Sequence, residues 1–109
     1  MDQPLARGAY AQVGGSLYLN VQHDALDALP TFVGLPATAT PLPHRPPLIV
    51  RDDTNDLWIH TFAPATLLRG DITAITGIAP DAVIATIGAA LGALLHVGTL
   101  DTAAHLAGR

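Results

Sequence analysis

His23, Asp24 and Asp27 stand close together in the chain, an imidazole and two carboxylates. Such groups bind a metal ion or pass a proton when two or three of them converge. No other residue in the sequence is placed to join them, and a polar corner after a strand is ordinarily solvated. The expectation is therefore no metal ligands, no cofactor and no catalytic residues. His60 lies mid-strand beside Trp58 and reads as a half-buried, hydrogen-bonding histidine. His44 belongs to a proline-rich loop. Ser16, the only serine, follows a diglycine, where turn chemistry explains it and no nucleophile elbow surrounds it. No phosphate-cradling glycine loop is present. Arg69-Gly70-Asp71 spells an adhesion tripeptide of a length that recurs by chance.

The elements that would position these residues are short strands and one helix. Leu17, Leu19 and Val21 alternate with Tyr18, Asn20 and Gln22, the two-residue period of a half-buried strand. Gly14-Gly15 before it is a hairpin signal, and Ala6 to Gln12 supplies the partner strand. Thr31 to Leu35 reads as a third strand stopped by Pro36. Pro36 to Pro47, with His44 and Arg45, is a loop. Leu48-Ile49-Val50 is fully apolar and reads as a central strand. Asp52 to Asp56 is a turn by composition, Leu57 to Phe62 is a strand, and Thr66 to Ile75 is irregular with one short strand.

After Pro80 the period changes. Val83, Ile84, Ile87, Leu91, Leu94 and Leu95 recur at three and four residues, a helix stripe. Pro80 suits a helix start and Asp81 the positive end of the dipole. Gly98 is a stop signal. The other face carries Ala85, Gly88, Ala89 and Gly92, small enough to let a second backbone approach. Asp81 and Asp101 flank the uncharged run between them, where a membrane helix would carry basic or aromatic anchors. A buried or paired helix is expected instead of a span.

Composition narrows the partners. The chain has 109 residues, 50% apolar and 13% charged, with a formal charge of −4 and five Lys plus Arg. That is one domain of modest core. Arg7, Arg45, Arg51 and Arg69 are scattered, against a nucleic-acid surface built on clustered cations. There is no cysteine and no basic-then-apolar leader, which fits the cytoplasm.

The order Leu-Tyr-Leu-Asn-Val-Gln-His-Asp-Ala-Leu-Asp (17–27), then Phe32-Val33-Gly34-Leu35-Pro36, then a C-terminal helix, resembles the CcdB family of toxins from toxin–antitoxin systems. The resemblance implies an α+β fold, a small antiparallel SH3-like barrel of about five strands with a C-terminal helix. It covers 1–109 as a single domain, with 99–109 as an extension. It implies a homodimer that inhibits DNA gyrase by binding its A subunit, is not an enzyme, touches neither nucleic acid nor membrane, and is neutralised by a cognate, CcdA-like antitoxin. Carried over by position, gyrase-binding falls on Ala25, Leu26, Ala93, His96, Val97, Gly98 and Thr99. Val97 stands where the best-studied family pattern has tryptophan. Antitoxin binding falls on Gln12, Val13, Gly14, Gly15 and Ser16. The alternatives are an endoribonuclease toxin of the MazF type, which shares the fold, and a non-toxic dimeric interaction module.

Self-association is expected through Ala85, Gly88, Ala89 and Gly92. Gly92→Leu should weaken the dimer by driving a large side chain into a close helix contact. Sedimentation that finds the variant as dimeric as the parent would move the interface elsewhere.

Overall fold

The computed structural model describes residues 5–26, 28–40 and 48–92. Among the described residues, seven antiparallel strands and one α-helix build an α+β, barrel-like domain. The strands are β1 (Ala9–Val13), β2 (Ser16–Asn20), β3 (Thr31–Thr38), β4 (Ile49–Asp52), β5 (Leu57–His60), β6 (Ala65–Leu68) and β7 (Ile72–Ile78). Helix α1 occupies 81–92, to the end of the described stretch. The sheet order is β4-β5-β3-β2-β1-β7, with β6 also paired to β3.

β3 is the hub. Its first half, Thr31 to Gly34, pairs with β6; its end, Ala37 and Thr38, pairs with β5; its other flank pairs with β2. The handover from β6 to β5 falls at Leu35 and Pro36. That corrects the expectation that Pro36 ends the strand. A proline removes one ladder donor, and here the missing N–H lies where one flank has no partner strand. The β1–β2 hairpin forms at Gly14-Gly15 as expected, with Gly14 at φ 61°, a region open to glycine.

Two further readings are corrected. β4 is an edge strand, not a central one. Its apolar run is buried because Val50 packs in the core with Ile87 and Ala90 of α1. The stretch expected to be largely irregular holds β6 and β7. β7 pairs with β1 through two register shifts, which break the alternation that would have betrayed it.

The sheet carries a core on each face. Tyr10, Leu19, Leu35, Ala37, Val50 and Ile59 face α1 and bury its Ile87 and Ala90. Ala9, Ala11, Phe32 and Leu5 form the second, with Tyr18, Leu67 and Ile72 against it. Both faces of β2 are thus covered. Asn20 and Gln22, expected to point to solvent, are buried. Each is satisfied by backbone, as burial of an amide requires. Asn20 Nδ2 donates to the carbonyls of Leu5 and Ala6, at 3.3 and 3.1 Å. Gln22 Nε2 donates to those of Leu26 and Thr31, at 3.2 and 3.1 Å.

The stripe of α1 is as its spacing predicts for Val83, Ile84, Ile87 and Leu91. Its other face, Ala85, Gly88, Ala89 and Gly92, is exposed, and a Cβ at Gly88 or Gly92 would meet nothing within 4 Å. Leu94, Leu95, the Pro41 to Pro47 part of the loop, and the extension 99–109 lie outside the described residues. No helix among the described residues is long and apolar enough to cross a membrane.

Gly34 marks the tightest crossing. A Cβ there would sit 2.9 Å from Tyr18 Cβ and 3.0 Å from Leu67 Cδ1. Gly34→Ala should cost about 1–3 kcal/mol of overpacking strain, read as a lower urea midpoint. An unchanged midpoint would show that β2 and β6 give way freely at this point.

Candidate functional site

Both hairpin turns lie at one end of the sheet. β2 begins at Ser16 beside the end of β3, and the end of β3 pairs with the start of β5. The Gly14-Gly15 turn and the 53–56 turn are therefore neighbours. Between them opens a groove of about 450 Å³ lined by Gln12, Ser16, Leu17, Ala37, Leu57 and Thr76, among others. Its polar groups are neutral amides and hydroxyls, set on an apolar floor.

The 53–56 turn is held from below by a buried carboxylate. Asp52 is fully buried. Its Oδ2 accepts from the Tyr10 hydroxyl at 2.6 Å and from Asn55 Nδ2 at 2.8 Å, and its Oδ1 from the Asn55 N–H at 3.1 Å. Asn55 Nδ2 also donates to the Ile78 carbonyl at 3.0 Å, which ties the turn to β7. Burial pushes the Asp52 carboxyl up, but the bonds from Tyr10, Asn55 and the Thr54 backbone outweigh it and hold it below its ordinary value. Burial, and then the bond to Asp52 and its charge, push the Tyr10 phenol far up. Tyr10 stays the donor and Asp52 the acceptor across the working range.

Above this bracket sits a charged platform. Arg51 Cζ lies over the Trp58 ring, 4.8 Å from its centroid, within cation–π reach. Arg51 Nε donates to Asp53 Oδ1 at 2.9 Å, and Nη2 donates to Asp56 Oδ1. Bonds to Asp56 and Asp53 push the guanidinium further up, so it stays a cation. Asp56 adopts φ 56°, the left-handed conformation that Asp tolerates in turns.

Thr38, directly opposite Trp58, shares its face of the sheet with Trp58, Arg51 and His60. Thr38 Oγ1 lies 2.8 Å from His60 Nε2 and donates its one proton to the Thr40 carbonyl at 2.8 Å. His60 Nε2 is then the donor. His60 stacks edge-on to Phe62 at 6.0 Å and is 2% exposed. The pair is a clamp between β3 and β5 and not a poised base.

The corner singled out first in the sequence lies at the opposite end of β2. Asp24 Oδ1 accepts from the Arg7 N–H at 3.2 Å, a structural bond. Asp27 lies outside the described residues, and among those described no three His, Asp or Glu side chains gather as a metal site. Leu26 is exposed in the 3-10 turn Asp24–Leu26, which also holds Ala25. Ala93, His96, Val97, Gly98 and Thr99 lie outside the described residues. Gln12, Gly14, Gly15 and Ser16 are exposed, with Val13 half-buried. Asp52 and the Arg51–Trp58 stack escaped the sequence reading. The one available signal was the alternation of Arg51 and Trp58 with buried neighbours on facing strands.

No family model and no curated protein matches this sequence. The solved structures give a clear fold match. An endoribonuclease from a mycobacterial species superposes with a TM-score of 0.77 at 19% identity, over 86% of this chain and 93% of that one. An endoribonuclease in complex with its cognate antitoxin, also mycobacterial, gives 0.74 at 20% identity, over 84% and 94%. At such identities the likeness is one of fold. The expectation of a binding protein without chemistry of its own does not stand against these matches, both of which are named as endoribonucleases. Their names speak of RNA cleavage and of an antitoxin, not of gyrase.

The Tyr10–Asp52 bracket has a pH signature. The depressed Asp52 contributes stability above the ordinary carboxyl range and loses it as pH falls through its folded value. The raised Tyr10 contributes below the ordinary phenol range and loses it as pH rises past it. The pair's contribution should be flat between about pH 4 and pH 10. Tyr10→Phe should cost about 1–3 kcal/mol at pH 7 by leaving the buried carboxylate short of a donor. It should cost less near pH 3. A loss that is the same at both pH values would mean that Asp52 does not titrate with folding.

Proposed function

We propose that this chain is the toxin of a toxin–antitoxin pair and that it cleaves RNA. One observation carries the reading: the match of nearly the whole chain to endoribonucleases, one of them seated with its antitoxin. The groove between the two hairpin turns is the proposed site.

RNA brings its own nucleophile. The 2′-oxygen attacks the adjacent phosphorus as it loses its proton, and the 5′-oxygen leaves as it gains one. A cyclic 2′,3′-phosphate and a free 5′-hydroxyl result. The protein's share is to hold the strand in line and to meet the charge that develops on phosphorus. Gln12, Ser16 and Thr76 supply an amide and hydroxyls on the groove wall for that purpose. No arginine is among the groove's lining residues, and Arg51 is committed to Asp53 and Asp56. Binding then rests on shape and hydrogen bonds, consistent with the net charge of −4.

The same loop serves the antitoxin. Gln12, Gly15 and Ser16 line the groove, and Val13 and Gly14 complete the same hairpin turn, so an antitoxin segment laid on Gln12, Val13, Gly14, Gly15 and Ser16 would close it. A second copy packs on the exposed helix face of Ala85, Gly88, Ala89 and Gly92.

Purified protein should cut single-stranded RNA into fragments ending in cyclic phosphate, and Gln12→Ala with Ser16→Ala should slow cutting by about 10²-fold or more at unchanged thermal midpoint. RNA left intact under all conditions would overturn the reading. RNA affinity should also depend weakly on salt, since each phosphate neutralised contributes a slope of only about −0.7 on single strands and the groove supplies no cation to neutralise one. A steep slope would place the strand on another surface.

A further inference from the structure

We infer that the Arg51–Trp58 platform, with Asp53 and Asp56 on either side, is a subsite for an unpaired guanine base. The inference rests on the RNA-cleaving reading and deepens it by naming a base preference.

The platform has the wrong charge for a phosphate. Arg51 brings one positive charge, and Asp53 and Asp56 bring two negative ones within bonding distance of it. A phosphate approaching this cluster meets a net negative site. A neutral planar ligand does not. Unpaired bases stack on aromatic rings and on guanidinium planes, and are read on their Watson–Crick edges. Arg51 Cζ lies over the Trp58 ring, 4.8 Å from its centroid, and is held there by two carboxylates. The Arg51 side chain as a whole retains 30% exposure. A base stacked on it would extend an ordered column of indole and guanidinium, at little cost in side-chain freedom.

The carboxylates select which base. Each gives Arg51 one oxygen, and their side chains are otherwise in solvent, 90% exposed for Asp53 and 84% for Asp56. A carboxylate only accepts, and its two oxygens offer about four lone-pair sites. Guanine alone among the RNA bases presents two adjacent donors, N1–H and the 2-amino group. Uracil sets carbonyls beside its one donor, which would face the carboxylate with like charge. The Asp52 bracket holds the whole turn in place beneath, and the turn leads directly into Leu57, which lines the groove.

Trp58 is the chain's only tryptophan, so its fluorescence reports on this subsite alone. The test uses hexamers of 2′-O-methyl uridine, which cannot be cut, carrying guanosine, inosine, adenosine or cytidine at one position. The guanosine hexamer should shift Trp58 emission and bind at least 10-fold more tightly than the inosine one, which lacks the 2-amino group. In the double variant Asp53→Asn with Asp56→Asn, the preference should fall to parity while uridine-only binding is retained. Equal affinity for all hexamers, or a guanosine preference that survives the double variant, would overturn the subsite. Trp58→Phe, followed by competition against a labelled strand, should keep the preference and shows that the turn still folds. Guanosine selectivity without RNA cleavage would sink the endoribonuclease and spare the subsite. Cleavage without guanosine selectivity would do the reverse.

Discussion

The hydrogen bond from Tyr10 to Asp52 joins residues far apart in sequence and fully inside the fold. An unpaired carboxylate cannot be buried in this core without a heavy desolvation cost. Asp52 is tolerated because every approach to it is made by a donor: the Tyr10 hydroxyl, the Asn55 amide and the turn backbone. The consequence runs outward. The bracket fixes the 53–56 turn and, through Asn55, fastens that turn to the end of β7. The half-buried Arg51–Trp58 platform, which flanks the turn, inherits its rigidity from it. Buried and exposed charge thus divide the labour, the first holding the hairpin and the second remaining at the surface of the turn.

The distribution of charge also separates this chain from an electrostatic nucleic-acid binder. Its single described cation–π stack is neutralised by its own turn, and its groove is uncharged. A surface of this kind gains affinity by contact and not by attraction at a distance, and its association with nucleic acid would be slower than that of a basic surface. An acidic antitoxin would likewise gain little steering. In the proposed complex, closure of the groove by a segment laid on the 12–16 loop is a matter of fit, with exposed glycines at the tip to let a partner backbone lie close.

How much of this could be read from the residues alone follows from what each one contacts. The β1–β2 hairpin was legible because Gly14-Gly15 and the alternation from Leu17 act locally. The helix stripe was legible for the same reason. Pro36 misled because a proline's effect depends on whether the flank it faces is occupied, which is a tertiary fact. Asn20 and Gln22 misled because polar residues on a period-two strand imply solvent unless backbone carbonyls elsewhere await them. β7 was hidden by its two register shifts. Asp52 looked like one more turn acid among Asp53 and Asp56, and only its pairing across the core distinguishes it. The groove was invisible because its walls come from distant segments, even though the 12–16 lip had been singled out as a contact. The gyrase-binding positions carried over by resemblance divide between the 3-10 turn Asp24–Leu26, at the other end of β2 from the groove, and positions 93–99, which lie outside the described residues.

The pairing of β1 with β7 has a further consequence during synthesis. Ala9 finds its partner only at Ile78, so the first strand emerges long before the strand that completes its ladder. At roughly 5–20 residues per second, a ribosome leaves that edge open for several seconds. β1 and β2 can zip at once into a hairpin, yet its outer rim of unmet amides waits. The fold as a whole is therefore completed late, with assembly timed by translation itself.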